Sequence, residues 1–116
     1  RRQRHMCIET GLYLGAAAQR IPVVLDGVIS CAAALLAVRL CPLSVHFMVA
    51  AHRSDEPASI LLLDALGKRP FLTAGMHLGE GTGAAAGVAL LDLALAPYRE
   101  MVSFADIGME AYQPQK

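Results

Sequence analysis

The residues best suited to chemistry lie in the stretch Gly75–Gly83, where glycines alternate around a single carboxylate. Glu80 stands between Gly79 and Gly81, and Gly83 follows two positions further on. Alternating glycines let the backbone adopt left-handed conformations and approach a ligand closely. If a helix begins after this turn, its first amides carry partial positive charge and suit an anion. Glu80 could then act as a general base, hold a cationic group, or cap the helix amides.

The flanking sequence predicts a strand before this turn and a helix after it. The apolar run Pro70–Thr73 precedes the turn, and an alanine-rich segment follows from Ala84. We predict a strand over residues 70–73 and a helix over about residues 83–95, which Pro97 ends because proline cannot continue the helical hydrogen bonds. A last helix is expected over residues 98–105, and a frayed tail over residues 112–116.

Two earlier apolar runs predict strands that alternate with helices. Residues 22–25 and 45–50 are short and apolar, as in the inner strands of a parallel sheet. Helices are expected over residues 5–19 and 27–40, and from about residue 57 to residue 66, where Gly67 follows. Strands alternating with helices indicate right-handed βαβ units. The predicted fold class is α/β: residues 1–116 form one unit, a partial, Rossmann-like three-layer parallel sheet with flanking helices.

Polar and glycine residues follow each of the three predicted strands. They are Asp26 and Gly27 after the first, His52, Arg53 and Ser54 after the second, and Leu78, Gly79, Glu80, Gly81, Thr82 and Gly83 after the third. Because the carboxyl ends of parallel strands share one edge of a sheet, these loops should converge into a ligand site. Two structural alternatives stay open: Asp26 can be a turn or capping residue, and Ser54 can simply start the next helix.

The spacing argues against several familiar sites. No lysine follows the glycines as in a phosphate-binding P-loop, and their period is wrong for a dinucleotide fingerprint. The four histidines and three cysteines show no zinc-ligand spacing, so we expect no metal and no cofactor. Three cysteines without a CxxC pair indicate reduced, buried thiols in a cytoplasmic protein.

Composition and charge limit the classes of partner that the chain can be expected to bind. The chain is 55% hydrophobic and 17% charged, too apolar for disorder and more apolar than a small free-standing domain needs. We therefore expect it to rest against more protein than it contains. The formal net charge is zero, which provides no attraction for nucleic acid or an anionic membrane. The apolar run Val28–Val38 is shorter than the roughly 20 residues that span a bilayer, so no membrane association is expected.

Four motifs in order and spacing carry a resemblance to a known family. The chain resembles the C-terminal third of nicotinate-nucleotide–dimethylbenzimidazole phosphoribosyltransferase from about Gly11 to Gly108. The motifs are PVVLDGVIS at residues 22–30, AHRSDEP at residues 51–57, LGEGTGAA at residues 78–85, and EMVSFADIG at residues 100–108.

The resemblance implies a reaction and roles for residues. The family moves the phosphoribosyl group of nicotinate mononucleotide onto 5,6-dimethylbenzimidazole, giving α-ribazole 5′-phosphate and nicotinate in cobalamin synthesis. Glu80 matches the family's general base, which takes the imidazole proton. Leu78 and Gly79 match the edge of the base pocket, while Gly81, Thr82 and Gly83 continue the turn that approaches substrate. The loops Asp26-Gly27 and His52-Arg53-Ser54 would line the nucleotide side.

Departures from the family pattern leave a second hypothesis. The family's larger part, with its own phosphate loop, is not represented, and Ala58-Ser59 and His77 replace residues that the family usually has. The alternative is a truncated, non-catalytic α/β module that acts through a partner or self-association. The resemblance also implies a homodimer or a complementing chain. A generic nucleotide-binding domain is a third interpretation, based on fold alone.

Overall fold

A computed structural model describes residues 2–110 and residue 113, and it has an α/β fold. The helices are α1 (Arg2–Ala18), α2 (Val28–Leu40), α3 (Pro57–Ala65) and α4 (Thr82–Glu100). The strands are β1 (Val23–Leu25) and β2 (Met48–Ala50), and a 3-10 helix, Pro42–Phe47, precedes β2. The predicted tail over residues 112–116 lies outside the described residues, apart from Gln113.

The described sheet has two parallel strands, one fewer than the sequence predicted. Val23 pairs with Met48 and Leu25 with Ala50. The third predicted strand, residues 70–73, forms only an isolated parallel bridge between Leu72 and His52. Two backbone hydrogen bonds of 3.0 Å hold it, from Leu72 N–H to the Ala51 carbonyl and from Arg53 N–H to the Leu72 carbonyl. Pro70 has no N–H to extend this pairing.

The second predicted strand, residues 45–50, is also shorter than expected. Its first half belongs to the 3-10 helix, and only Met48–Ala50 forms a strand. Pro42 begins that helix, with its fixed φ, and Ser44 N–H donates to the Cys41 carbonyl at 3.0 Å. The local turn therefore overrides the strand preference of Val45 and Phe47.

The core forms where α1 and α2 pack against each other and against β1. Ala33, Ala34 and Ala37 of α2 are fully buried, which lets the helix backbones approach closely. Because α2 also contacts α3 and the 3-10 helix, its nearly continuous apolar surface is used on more than one side. Of the cysteines only Cys31 is buried; Cys7 and Cys41 are exposed, so the expectation of three buried thiols was wrong.

Helix α4 runs through Pro97, contrary to the predicted break. It continues to Glu100, and Met101 N–H then donates to the Pro97 carbonyl at 2.9 Å. The carbonyl that Pro97 leaves unpaired belongs to Leu93, a residue 71% exposed, so water can satisfy it. Residues 101–103 have no regular secondary structure and residues 104–108 form a turn, which replaces the predicted final helix.

The second half of α4 leaves the described molecule elongated. After Gly87 the described residues of α4 are exposed or half-buried, including several large apolar side chains. The radius of gyration is 17.5 Å, against roughly 13 Å for a compact domain of this length. Part of the apolar excess noted in the sequence is therefore exposed on this helix.

We predict that Tyr13 makes the fold sensitive to high pH. Burial, with the negative charge of Glu9 as a smaller cause, raises the pKa of Tyr13 from 10.0 to about 12. The unfolded chain releases this proton at lower pH than the folded chain, so the contribution of Tyr13 to stability is complete below pH 10 and is lost as pH rises towards 12. Urea unfolding across this pH range would show the loss. Tyr13→Phe should make the loss less steep, with Cys31, whose pKa is raised to about 11, accounting for part of what remains. An equally steep loss in that variant would contradict the assignment.

Candidate functional site

The glycine-rich turn holds its carboxylate in an unusual backbone conformation. Gly79, Glu80 and Gly81 have φ angles of 77°, 55° and 81°, all left-handed. Such a conformation costs a residue with a side chain on the order of 1 kcal/mol, so the surroundings must impose it on Glu80. Thr82 closes the turn by donating to the Gly79 carbonyl from its hydroxyl at 2.7 Å and from its N–H at 3.1 Å. The Glu80 side chain is exposed.

Asp26, at the end of β1, caps α4 from a distant part of the chain. Its Oδ2 accepts a hydrogen bond from Gly81 N–H at 3.0 Å, and its Oδ1 accepts one from Ala84 N–H at 3.1 Å. The sequence left open whether Asp26 caps a helix. It does, but the helix that it caps is α4 and not α2, which follows Asp26 in the chain. Two of the amides that could have bound an anionic ligand instead donate to this carboxylate.

His52 and Gly83 form the tightest contact between α4 and the residues that follow β2. His52 is 5% exposed, and its Nδ1 is buried without a hydrogen-bond partner among the described residues. A Cβ atom at Gly83 would overlap the imidazole ring. One turn further along α4, a Cβ atom at Gly87 would overlap Ala51. The glycines therefore let α4 lie directly on the residues that follow β2.

A cavity of about 710 Å³ gathers most of the predicted site residues. Its lining includes Asp26, Gly27, His52, Ser54, Gly79, Glu80 and Gly81. Leu78 and Thr82 instead line a separate hollow with Gly75, Met76 and His77. Arg53, which is exposed, and Gly83 are in neither lining. The predicted convergence of the three loops is therefore found for all three, although not for every residue in them.

Helix α1 supplies one wall of the cavity, which sequence reasoning missed. Glu9 and Tyr13 line it, as does Ser30 of α2. Glu9 Oε2 is buried without a hydrogen-bond partner among the described residues. The spacing of Glu9 and Tyr13 by one helical turn was the available signal, since it places a carboxylate and a phenol on one helix face.

Burial controls the titration of two groups close to the cavity. It raises the pKa of Tyr13, as described above, and it raises the pKa of the Cys31 thiol to about 11. The charge of Asp26 is a further cause for both groups. Both side chains therefore stay protonated and uncharged near neutral pH.

Within residues 2–110, no group of three His, Cys, Asp or Glu side chains could hold a metal ion. No helix in the described part of the chain is long and apolar enough to cross a bilayer.

Comparison with known proteins identifies the family. A family model described as phosphoribosyltransferase matches residues 4–109. The nicotinate-nucleotide–dimethylbenzimidazole phosphoribosyltransferase of Acetivibrio thermocellus is 48% identical over 105 residues, which are 90% of this chain and 30% of that protein. The enzyme of the same name from Desulforudis audaxviator is 50% identical over 99 residues, 85% of this chain and 28% of that protein. The chain belongs to this phosphoribosyltransferase family.

Solved structures agree with the sequence comparison. The crystal structure of CobT from Thermus thermophilus superposes with a TM-score of 0.81 at 38% identity, covering 90% of this chain and 31% of that one. A second structure, nicotinate-nucleotide–dimethylbenzimidazole phosphoribosyltransferase from the same organism, gives 0.82 at 37% identity, covering 92% of this chain and 32% of that one. The chain thus spans about 30% of the length of the curated relatives that it matches.

We predict that Gly83→Ala destabilises the fold. The added methyl group would displace the imidazole of His52, and overpacking of this kind costs about 1–3 kcal/mol. Gly11→Ala is the matched control, because Gly11 lies within α1 with no atom near the position of its missing Cβ. That control should gain about 1 kcal/mol from helix propensity. Urea unfolding would measure the change in the free energy of unfolding for both variants. Equal changes in the two variants would contradict a tight contact between Gly83 and His52.

Proposed function

We propose that the chain carries the Glu80 part of the active site of a nicotinate-nucleotide–dimethylbenzimidazole phosphoribosyltransferase. The observation that carries this proposal is the placement of Glu80. Its carboxylate lies between two left-handed glycines and lines a cavity of about 710 Å³, a volume suited to a small-molecule ligand. The names of the relatives contain a nicotinate nucleotide and dimethylbenzimidazole. With the family resemblance, this gives nicotinate mononucleotide as the proposed donor and 5,6-dimethylbenzimidazole as the proposed acceptor.

In the proposed reaction, Glu80 acts as the general base. One nitrogen of dimethylbenzimidazole attacks the ribose C1′ of nicotinate mononucleotide, and the bond from C1′ to the pyridinium nitrogen breaks. The other nitrogen loses its proton to the Glu80 carboxylate, so positive charge does not build up on the new azole nucleotide. Nicotinate leaves with the bonding electron pair, and Glu80 later returns the proton to solvent.

The cavity wall fits an aromatic acceptor with an N–H donor. Val24, Val28 and Ile29 supply apolar surface, while Glu80 supplies the acceptor oxygen. Apolar walls with a few placed polar groups are typical of small-molecule sites. The substrate-binding roles of Leu78, Gly79, Gly81, Thr82 and Gly83, and of Gly27, His52, Arg53 and Ser54 on the nucleotide side, belong to the same proposal.

The test uses a chimera in which residues 4–109 replace the matched segment of the Acetivibrio thermocellus relative. It is made with and without Glu80→Gln. Chromatography would measure α-ribazole 5′-phosphate made from the two substrates. We expect the chimera to be active and Glu80→Gln to reduce kcat by about 100-fold or more, as for loss of a general base. Glu100→Gln, at the exposed end of α4, is the matched control and should retain activity.

Two results would overturn this function. A folded chimera that makes no product would show that these residues do not complete the relative's site. Equal activity of the Glu80→Gln and Glu100→Gln variants would remove Glu80 from the chemistry. The same chimera separates the alternative hypothesis, because a non-catalytic module would fold in the relative without restoring product.

The finer fold prediction is part of this proposal. We propose that residues 1–116 form a single α/β unit that corresponds to the C-terminal part of the family's catalytic domain. The parallel pair β1–β2 and the bridge at Leu72 would then be one edge of a three-layer, Rossmann-like sheet. Free thiols at Cys7, Cys31 and Cys41 support a cytoplasmic location, which fractionation of the source cells would test.

We also propose that the outer face of α4 packs against further protein, as a homodimer or with a complementing chain. The exposed apolar side chains on and just after this helix include Leu93 at 71%, Tyr98 at 88% and Met101 at 74%. Apolar groups clustered on one exposed helix favour association, since burying them releases water. The elongated shape of the described molecule agrees with a missing neighbour on this side.

Sedimentation of the isolated chain tests the association. We expect concentration-dependent self-association that Leu93→Lys weakens, raising the dissociation constant by about tenfold or more, because a charge replaces a buried apolar group. Leu61→Lys is the matched control: Leu61 is 73% exposed, on α3. A wild-type chain that stays monomeric at high concentration would argue against self-association, and equal effects of both substitutions would argue against this face.

A further inference from the structure

We propose that Asp26 is a positioning residue for Glu80, acting through the start of α4 rather than by contact with substrate. The expected effect on kcat rests on the proposed function. The claim that Asp26 fixes the turn rests on the geometry of the turn alone. It changes the role that the family resemblance gave to Asp26, which was substrate binding.

The two oxygens of Asp26 are already engaged with protein. Oδ2 accepts from Gly81 N–H at 3.0 Å and Oδ1 accepts from Ala84 N–H at 3.1 Å. The first amides of a helix have no partner within the helix, so a carboxylate that satisfies two of them is held firmly. Hydrogen bonds with an ionised acceptor are also stronger than those between neutral groups.

One of these bonds reaches the backbone of Glu80 directly. The N–H of Gly81 belongs to the same rigid peptide unit as the carbonyl of Glu80, so the bond to Asp26 fixes the plane that follows the Glu80 Cα. The plane that precedes it contains the Gly79 carbonyl, which accepts two hydrogen bonds from Thr82. Both peptide planes around Glu80 are therefore held.

The two restraints differ in what they connect. Thr82 is only three residues from Gly79, so its bonds shape the turn without locating it in the molecule. Asp26 is 55 residues from Gly81, and it ties the turn to the end of β1. Its own backbone N–H donates to Ser30 Oγ at 3.0 Å, and Ser30 Oγ donates to the Gly27 carbonyl at 2.8 Å. The restraint on Glu80 thus continues into the start of α2.

This arrangement separates binding from catalysis. A left-handed conformation at a non-glycine residue persists only where the surroundings impose it, and Asp26 is the long-range part of those surroundings. Without it, Glu80 and the glycines beside it would sample other orientations, while the parts of the cavity lining contributed by α1, β1 and α2 stayed in place. The expected loss is therefore in kcat, because a general base must lie within hydrogen-bond reach of the proton that it takes.

The first arm of the test measures kinetics in the chimera with Asp26→Asn, Asp26→Ala and, as a matched control, the exposed Asp64→Asn. Asparagine keeps one acceptor oxygen and the shape of the side chain, so its effect should lie between wild type and alanine. We expect kcat to fall by about 10-fold for Asn and about 100-fold for Ala, with a much smaller rise in KM, because most of the cavity lining lies outside the turn. Asp64→Asn should behave as wild type.

The second arm measures hydrogen exchange at single amides of the isolated chain by NMR, which needs no activity. Asp26→Ala should speed exchange at Gly81 and Ala84 by about tenfold or more, while amides of α2 keep their protection. Unchanged exchange at both amides would overturn the proposal. So would unchanged kcat, or an increase in KM as large as the fall in kcat, which would indicate substrate contact. If the wild-type chimera is inactive, the proposed function fails, and the exchange arm still decides whether Asp26 holds the turn.

Discussion

Two hydrogen bonds from the start of α4 to the Asp26 carboxylate join parts of the chain that are far apart in sequence, and the candidate site lies at this junction. A helix start leaves several amides without partners, and a negative group there is favourable. Because the protein uses its own carboxylate for this purpose, the positive end of α4 is compensated before any ligand arrives. The turn that carries Glu80 is thereby fixed to the end of β1, where the cavity opens.

Close backbone packing makes this junction possible. Gly83 admits the ring of His52, and Gly87 admits Ala51, so α4 lies against the residues that follow β2 without intervening side chains. Beyond Gly87 the same helix has large apolar side chains and no cover among the described residues. The proposals above therefore give one helix two roles along its length: its first turns help to form the candidate site, and its remainder would pack against more protein.

The sequence predicted the first strand, the first three helices and the meeting of three loops, since these depend on local apolar runs and on the direction of parallel strands. It could not predict that Asp26 bonds to Gly81. A carboxylate after a strand can accept hydrogen bonds from nearby turn amides or from the start of a distant helix, and the sequence does not distinguish the two. Residues 70–73 looked like a strand, but strand pairing depends on a neighbour, and only Leu72 finds one. Pro97 looked like a helix end, yet an exposed helix can leave one carbonyl to water. Glu9 and Tyr13 lie on a helix without motif residues, so only the packing of α1 brings them to the cavity.

We propose that a fixed Glu80 receives the proton of an aromatic azole in the cavity at the end of β1. A crystal structure of the chimera with 5,6-dimethylbenzimidazole bound would test this most directly. We predict a ring nitrogen within about 3 Å of a Glu80 carboxylate oxygen, with the ring against Val24 and Ile29. A ring bound elsewhere, or bound here with both nitrogens out of reach of Glu80, would contradict it.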